Sequence, residues 1–376
     1  MRIGILTYFG DLNFGTNLQA YSTMMSVQKA FPEADVEIVP IHSFKNVNRP
    51  YLSNATPMSL YRDFVRIHKY SKFVDEELHV KNDVIIKETQ AGLDFIGKRN
   101  YDRIYVGADT LLELDRHEKA GFDDLTFYWL GNSISSKQYL LAASSKNAFY
   151  STLTPLQKEQ LAKYVPNYSG IYVRDTPSKD LVCNFVESDK VKIIPDPTFA
   201  YDIDYKYADD YVKRKNLDLS NSILIHGYRD DSYLSGFVKL AKKRGYTIAS
   251  LRPARWADIE INDVGPREHA GIFKYFKCVI THRFHDTVFC LKNNTPVVVS
   301  LPAPNLADEK GKSKHSTLLD FFGLTELCLT NDKFTITADS LLKNMEDVME
   351  NWDKMKILPI LDLLRDDYLS AIEETK

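Results

Sequence analysis

The clearest capacity for chemistry lies in residues 278–291, where an apolar strand ends at Thr281 and a helix follows. Apolar residues recur at helical spacing from Phe284 onwards, which places Arg283 and His285 at the helix N-terminus. Unpaired N–H groups and the helix dipole favour an anion there, and the guanidinium adds a two-pronged clamp for carboxylate or phosphate. His285 can supply a proton near neutral pH. The segment therefore predicts an anion site with a general acid beside it.

Structural roles account for the same residues in another way. His285 can cap or pack the helix, and Arg283 can form an ordinary ion pair with Asp286. The spacing His282-x-x-His285 suits two zinc ligands, but the sequence offers no obvious third ligand. We therefore predict no metal in the site.

A second candidate segment, residues 8–21, leads from the first predicted strand into a helix. Its two glycines permit tight turns, and its polar side chains can aim at whatever occupies the neighbouring cleft. These side chains are Asp11, Asn13, Asn17 and Gln19. The alternative is a plain strand-to-helix loop capped by Asn17. The segment contains neither Gly-x-Gly-x-x-Gly nor Gly-Lys-Ser/Thr, so it is not a nucleotide fingerprint.

The elements that must position these segments alternate along the chain, as in parallel sheets covered by helices. The composition changes around residues 201–220, so we predict α/β domains at 1–205 and 206–376, with a C-terminal helix packing back on the first. Two Rossmann-like doubly wound domains would face a central cleft, where ligands of such sheets bind. The predicted strands cover residues 2–7, 36–40, 103–106, 138–143, 170–173, 191–194, 222–228, 246–250, 277–281, 296–300 and 326–329.

The composition excludes several classes of protein. Of the 376 residues, 48 are Lys or Arg and 51 are Asp or Glu, so a net charge of −3 offers no basic field for a nucleic acid. The four cysteines lack Cys-x-x-Cys spacing, which predicts reduced thiols without a disulfide framework. No run of about 18 apolar residues occurs, and no signal-peptide pattern opens the chain. We expect a cytoplasmic protein without a nucleic-acid partner.

Residues 60–73 bear on membrane contact. They contain four basic residues, one acidic residue and aromatic residues at helical spacing. This pattern is compatible with a helix lying on the inner face of an anionic membrane. The favoured alternative is a core-packed helix with a basic outer face.

Five short motifs, in their order and spacing, resemble the polysaccharide pyruvyl transferase family over residues 1 to about 330. These motifs are Asn13-Phe14-Gly15-x-x-Leu18-Gln19-Ala20-Tyr21, Val106-Gly107-Ala108-Asp109, Val173-Arg174-Asp175, Asp196-Pro197-Thr198 and Thr281-His282-Arg283-Phe284-His285.

The resemblance implies a glycosyltransferase-B-like pair of domains and phosphoenolpyruvate as a substrate, with no cofactor. It further implies a sugar acceptor whose hydroxyls receive a cyclic pyruvate ketal while phosphate is released. The acceptor would be a galactose- or mannose-type residue of a lipid-linked precursor of a capsule or exopolysaccharide.

By the same resemblance, His285 is the general acid that protonates the donor's methylene carbon, and Asp109 orients or deprotonates the acceptor hydroxyl. The expected donor ligands are Arg283, Phe284, Arg174 and Lys314. The expected acceptor ligands are Asp11, Asn13, Asn17 and Gln19.

Several of these residues also have plain structural interpretations. Arg174 next to Asp175 is typical of a surface ion pair, and Asp196 is expected only to fix a turn with the proline after it. Lys312, Lys314 and His315, just before a predicted helix at 316–322, are more typical of a solvated basic face.

The chain departs from the family pattern at two places. The family's loop commonly reads Gly-Ser-Asp followed by an aromatic residue, but here Ala108 precedes Asp109 and Thr110 follows it, so the acceptor is weakly constrained. Asp286 adds a negative charge beside the clamp. Two other functions stay open, a glycosyltransferase that uses a nucleotide sugar and a carbohydrate-binding protein without catalysis.

Overall fold

The computed structural model describes residues 1–44, 56–114, 125–146, 148–228, 232–301, 313–330, 336–352 and 357–376. Within them, two parallel six-stranded sheets form two Rossmann-like halves, so the predicted α/β fold class is confirmed.

The first sheet is built from the first half of the chain. Its strand order is β2-β1-β5-β6-β7-β8, and β3 pairs separately with β4. The strands are β1 (Arg2–Leu6), β2 (Asp35–Ile38), β3 (Ile41–His42), β4 (Val84–Ile85), β5 (Arg103–Val106), β6 (Lys137–Ala143), β7 (Gly170–Val173) and β8 (Val191–Ile193).

The second sheet has the order β11-β10-β9-β12-β13-β14, which is the Rossmann order 3-2-1-4-5-6. Nearly all residues of its four central strands are buried, as expected for strands covered by helices on both faces. The strands are β9 (Ser222–His226), β10 (Thr247–Ser250), β11 (Ile259–Glu260), β12 (Cys278–Thr281), β13 (Val297–Leu301) and β14 (Cys328–Thr330).

Helices connect most of these strands. They are α1 (Phe14–Ala30), α2 (Pro57–Glu76), α3 (Thr89–Gly97), α4 (Pro155–Tyr164), α5 (Thr176–Val182), α6 (Lys206–Lys215), α7 (Ser232–Lys243), α8 (Pro266–Ile272), α9 (Phe284–Lys292), α10 (Lys314–Asp320), α11 (Ala338–Asn351) and α12 (Ile357–Glu373).

Local sequence signals explain where several helices begin. Thr154 caps α4 and Gln157 completes the capping box, with Pro155 in the first turn, as predicted. Asp175 caps α5, accepting a hydrogen bond from the backbone N–H of Ser178. The predicted strands at 103–106 and 170–173 have the observed bounds. The two-residue strands β3, β4 and β11 escaped prediction because they are too short to show a period.

Helix α2 belongs to the first half of the chain but contacts the second half. Lys69 Nζ lies 2.6 Å from Glu268 Oε1, and Asn262 Nδ2 donates to the carbonyl of Ser59 over 2.9 Å. Arg62 Nη1 donates to the carbonyl of residue 260 over 3.1 Å. The basic residues of α2 therefore serve contacts within the protein.

The outer face of α2 differs from the prediction of a basic surface. Met58, Tyr61 and Phe64 are 60%, 65% and 61% exposed, whereas Arg66 is buried. Arg66 instead pairs with the buried Asp63 over 3.2 Å, while Tyr70 and Phe73 are buried in the core, as the core-packed alternative predicted. No helix among the residues described above is long and apolar enough to cross a membrane.

The C-terminal segment follows the second sheet in sequence but contacts the first half of the protein. The Tyr368 hydroxyl of α12 donates a hydrogen bond to the Thr23 hydroxyl of α1 over 3.3 Å. Beyond α12, Glu374 accepts hydrogen bonds from Tyr172 over 3.0 Å and from Lys192 over 2.7 Å. The end of the chain thus lies against the first sheet, although it follows the second sheet in sequence.

Candidate active site

The loops that carry the site residues follow β1, β5, β7 and β8 of the first sheet and β12 of the second. The strand order reverses between β1 and β5 in the first sheet and between β9 and β12 in the second. Ligands of open α/β sheets bind at such switch points, outside the carboxyl ends of the strands. A Cβ atom added to Gly15 at the start of α1 would lie 2.1 Å from Cγ of His285 at the start of α9. The first turns of these two helices therefore touch, and the two switch points meet.

A buried ion pair lies at this junction. Arg174 follows β7, Asp196 follows the neighbouring β8, and Arg174 Nη1 lies 2.7 Å from Asp196 Oδ2. Both side chains are buried, so Arg174 is not the surface partner of Asp175 that its neighbour suggested. Burial alone would raise the pKa of Asp196, but His285, Arg174 and the Thr198 hydroxyl hold it well below the usual range.

His285 lies beside that pair. Its Nε2 atom is 3.6 Å from Asp196 Oδ2, which is an ion-pair distance but longer than a hydrogen bond. Nε2 is buried and has no hydrogen-bond partner among the described residues. Because buried polar atoms are nearly always hydrogen-bonded, this nitrogen is available for a ligand.

The ring of Phe284 lies close to two cations. The guanidinium of Arg174 lies 4.6 Å from the centroid of the Phe284 ring, and Lys314 Nζ lies 5.6 Å from it. Both distances are within the range of cation–π attraction. The ring thus holds two positive charges near His285 while its own surface stays apolar.

Asp109 follows β5 in a backbone conformation with φ of 71°. Its Oδ2 accepts a hydrogen bond from the Thr16 hydroxyl over 3.0 Å, and its Oδ1 accepts one from the Thr110 backbone N–H over 2.8 Å. Burial acts to raise its pKa, but the charges of Arg174, His285 and Lys314 outweigh that effect and lower it. Asp109 is therefore an ionised acceptor that already binds one hydroxyl group.

Lys314 is the first residue of α10, which starts two residues before the predicted helix and is capped by Ser313. Its Nζ atom has no hydrogen bond or ion pair with any described residue. Burial, then the charge of Arg174, lowers its pKa. Lys314 therefore faces the site, not a solvated basic surface. The prediction for Lys312 lies outside the described residues.

Arg283 lies on the other side of α9. It occupies the N-cap position, and its Cγ atom is 3.3 Å from the place where a Cβ of Gly227 would be. Its guanidinium has no hydrogen bond or ion pair within the described parts of the chain, and Asp286 instead bonds His226 and Thr281. The structure therefore does not bring Arg283 into the group of Arg174, Asp196 and His285.

The polar residues of the loop after β1 mostly hold the loop itself. Asn17 accepts a hydrogen bond from the Gly10 N–H over 3.0 Å and donates to the carbonyls of Asp11 and Asn13. Asn13, and not Asn17, caps α1. Gln19 is fully buried, and neither atom of its amide has a partner among the described residues. Of the loop and first turn, Thr16 is the residue seen to touch Asp109, and sequence reasoning did not select it.

The solved structures that the chain is similar to share its two-domain arrangement. UDP-GlcNAc 2-epimerase from Neisseria meningitidis, bound to UDP-GlcNAc, is 12% identical with a TM-score of 0.54, covering 100% of this chain and 99% of that one. Anabaena HepE, in complex with UDP and glucose, is 10% identical with a TM-score of 0.54, covering 100% and 98%. At these identities the likeness shows the fold alone, which is glycosyltransferase-B-like.

Comparison of sequences identifies the family. No curated protein matches the chain. The family described as "Polysaccharide pyruvyl transferase" matches residues 13–301, a range that contains β5, β7, β12 and the start of α9 with their site residues. This range is more than half of the chain, and the chain belongs to the polysaccharide pyruvyl transferase family.

Proposed function

We propose that this transferase moves a pyruvyl group from phosphoenolpyruvate to two hydroxyls of a sugar, forming a cyclic ketal and releasing phosphate. One observation carries the proposal: the buried Nε2 of His285, which has no hydrogen-bond partner among the described residues, lies in one group with Asp109 and the cations Arg174 and Lys314. Such a group combines an acid, a base and anion-binding charge within one water-poor site.

The donor is an anion at both ends, with a carboxylate and a phosphate on a three-carbon frame. Lys314 has no anionic partner among the described residues, and Arg174, which pairs with Asp196 through Nη1, has a buried Nε without a hydrogen-bond partner there. We assign the negative groups of the donor to these two cations, which both lie against Phe284. Phe284 lies against Lys314 and fits the apolar methylene edge.

The reaction needs one proton at the methylene carbon. His285 donates it through Nε2 as a sugar hydroxyl oxygen attacks the adjacent carbon, whose double bond supplies the electron pair for the new C–H bond. Phosphate then leaves from that carbon, the second hydroxyl adds to it, and the proton of that hydroxyl goes to the departing phosphate. Two C–O bonds form and one breaks, and the proton of the first hydroxyl, taken up by Asp109, balances the proton that His285 gave. Asp196, at 3.6 Å, stabilises the protonated imidazole before transfer.

Asp109 serves the acceptor. Its carboxylate is ionised because nearby cations lower its pKa, and it already accepts a hydroxyl hydrogen bond from Thr16. A sugar hydroxyl can take the place of that contact and pass its proton to the carboxylate. The acceptor is a sugar of a polysaccharide precursor, in keeping with the family.

The direct test combines purified protein with phosphoenolpyruvate and a panel of galactosides, mannosides and lipid-linked oligosaccharides. We expect phosphate release that matches the formation of an acid-labile ketal on one class of acceptor. Lys314→Ala should raise the KM for phosphoenolpyruvate, and Lys163→Ala on the exposed face of α4 should not. An unchanged donor KM in Lys314→Ala would contradict the assignment.

Thermal shift separates this function from the two alternatives. A ligand that binds the folded state at a hundred times its Kd stabilises the protein by about 2.7 kcal/mol. Stabilisation by phosphoenolpyruvate supports the proposal, and stabilisation by a uridine or guanosine diphosphate alone supports a nucleotide-sugar enzyme. Glycan binding without phosphate release would identify a carbohydrate-binding protein.

Gly15→Ala should lower turnover about 10²-fold without unfolding the protein. The added methyl would lie 2.1 Å from His285 Cγ and 2.5 Å from its Cβ, so the imidazole and the first turn of α9 must move away from Asp196, and displacements of about 1 Å cost that much. The measurement is the rate of phosphate release. The matched control is Gly97→Ala at the end of α3, where the nearest atom is 3.7 Å from the new methyl. Equal rates for the two variants would show that the position of His285 is unimportant.

A further inference from the structure

A second buried cluster lies on the opposite side of α9 from Lys314, at the switch point of the second sheet. It consists of His226 at the end of β9, His269 in α8 and Asp286 in α9. The geometry points to a binding site for one divalent transition-metal cation of the zinc class, formed by these three side chains. This inference is independent of the proposed function.

The distances suit a shared ion. Each of the three residues offers one ligand atom, and these atoms all lie within 4.8 Å of one another. His226 Nδ1 and Asp286 Oδ2 are 2.7 Å apart. Bonds from zinc to nitrogen or oxygen are about 2.0–2.2 Å, so tetrahedral ligands are about 3.4 Å apart. Shifts of well under 2 Å therefore bring the three atoms onto one ion.

Two atoms of the cluster lack a partner. His269 Nε2 and Asp286 Oδ1 are buried and have no hydrogen bond with any described residue. His226, His269 and Asp286 are 5%, 5% and 0% exposed, so bulk water does not satisfy these atoms. A bound metal ion would supply the missing interaction for these buried atoms.

The surroundings fix the ligands in place. The Thr281 hydroxyl donates to Asp286 Oδ2 over 2.7 Å and itself accepts from the Arg283 backbone N–H over 3.0 Å. The ring of Phe14 stacks on His269 with centroids 3.6 Å apart and an interplanar angle of 12°. Hydrogen bonds and packing of this kind orient metal ligands.

The chemistry of the ligands selects the class of ion. Two imidazoles and one carboxylate suit zinc, cobalt, nickel or iron(II), whereas magnesium and calcium prefer oxygen ligands. Arg283 is close enough to exert a charge effect on His226 and Asp286. The positive charge of Arg283 disfavours a metal ion that is bound by electrostatic attraction alone. The affinity for the metal ion must therefore come from its bonds to the two histidine nitrogens.

The test uses the full-length protein after removal of metal with EDTA and dialysis. Titration with Co²⁺ should give a visible absorption spectrum that saturates at one ion per chain, and Zn²⁺ should displace it. Competition with a chromophoric chelator gives the Kd for Zn²⁺. His226→Gln and His269→Gln should each raise that Kd at least tenfold.

His42→Gln is the matched control, because the buried His42 Nε2 forms a pair with the partly exposed Asp83 at the same distance of 2.7 Å, away from the cluster. Its Kd for Zn²⁺ should equal that of the unaltered chain. The Co²⁺ spectrum is measured on the unaltered chain, so this readout does not require any variant to fold. A spectrum of hexa-aqua Co²⁺ alone, or equal losses in all three variants, would overturn the inference. Neither readout depends on phosphate release, so the outcome is separate from that of the transferase assay.

Discussion

His285→Gln should reduce phosphate release from phosphoenolpyruvate by about 10²–10⁴-fold, the usual contribution of a positioned general acid. Glutamine keeps a polar group of similar reach but has no proton to give at neutral pH. The loss should appear in kcat, because the donor's anionic groups are bound by other residues. Initial rates over a range of donor concentrations give kcat and KM separately.

Two comparisons make this result specific. His68→Gln removes an exposed histidine of α2, outside the site, and should leave kcat unchanged. Binding of phosphoenolpyruvate to the His285 variant, followed by calorimetry, should remain within a few-fold of the unaltered chain. A variant that keeps more than a tenth of the original kcat would rule out His285 as the acid.

Arg174→Met should lower the free energy of unfolding by about 3–5 kcal/mol at pH 7, the cost of leaving a buried carboxylate without its cation. Asp196 is buried and ionised, and the Nη1–Oδ2 distance of 2.7 Å shows a direct bond. Methionine fills a similar volume without the charge. Urea denaturation followed by circular dichroism measures the difference.

The same variant should show a distinct dependence on pH. The pKa of Asp196 is lowered in the folded protein, so its contribution is present above the unfolded pKa of about 3.9 and is lost as the pH falls below that value. The gap between Arg174→Met and the unaltered chain should therefore narrow in acid. Lys163→Met, which breaks an exposed pair with Glu159, should change stability little at either pH. An Arg174 variant as stable as that control would refute the buried pair.

Much of the fold could be predicted from the sequence because buried parallel strands are recognisable as short apolar runs. The strands β5 and β7 have the predicted bounds, and the motifs that end β5, β7 and β12 lie where site residues of such sheets lie. His285 could be selected from its place at a helix start, whereas Asp109 and Arg174 were selected because their motifs resemble those of the family. Local spacing then places each of them at a strand end or a helix start.

The pairing of these residues could not be predicted in the same way. Arg174 and Asp196 are 22 residues apart and meet because β7 and β8 are neighbours, a fact that the order of strands in the sheet decides. A usable signal existed, since Asp196 also follows a strand directly. Sequence reasoning gave more weight to the proline after it, and so assigned Asp196 to a turn alone.

Nearest neighbours in sequence misled the interpretation of charge. Asp286 was expected to pair with Arg283 or to oppose it, but it bonds His226, which lies 60 residues earlier. The start of α9 divides the side chains between two sides, with His285 directed to Asp196 and Asp286 directed to β9. One turn of helix thus serves two clusters, which no linear pattern reveals.

The double crossing of the chain has a consequence for how the two halves melt. Lys69 of α2 forms an ion pair with Glu268, and Glu374 beyond α12 forms one with Lys192. Each half of the chain therefore contributes a segment that contacts the other half. Neither half can unfold alone without breaking the contacts of its own segment with the other half. Heating should therefore produce a single cooperative endotherm for the whole chain, whereas two domains joined only by a flexible linker would unfold separately.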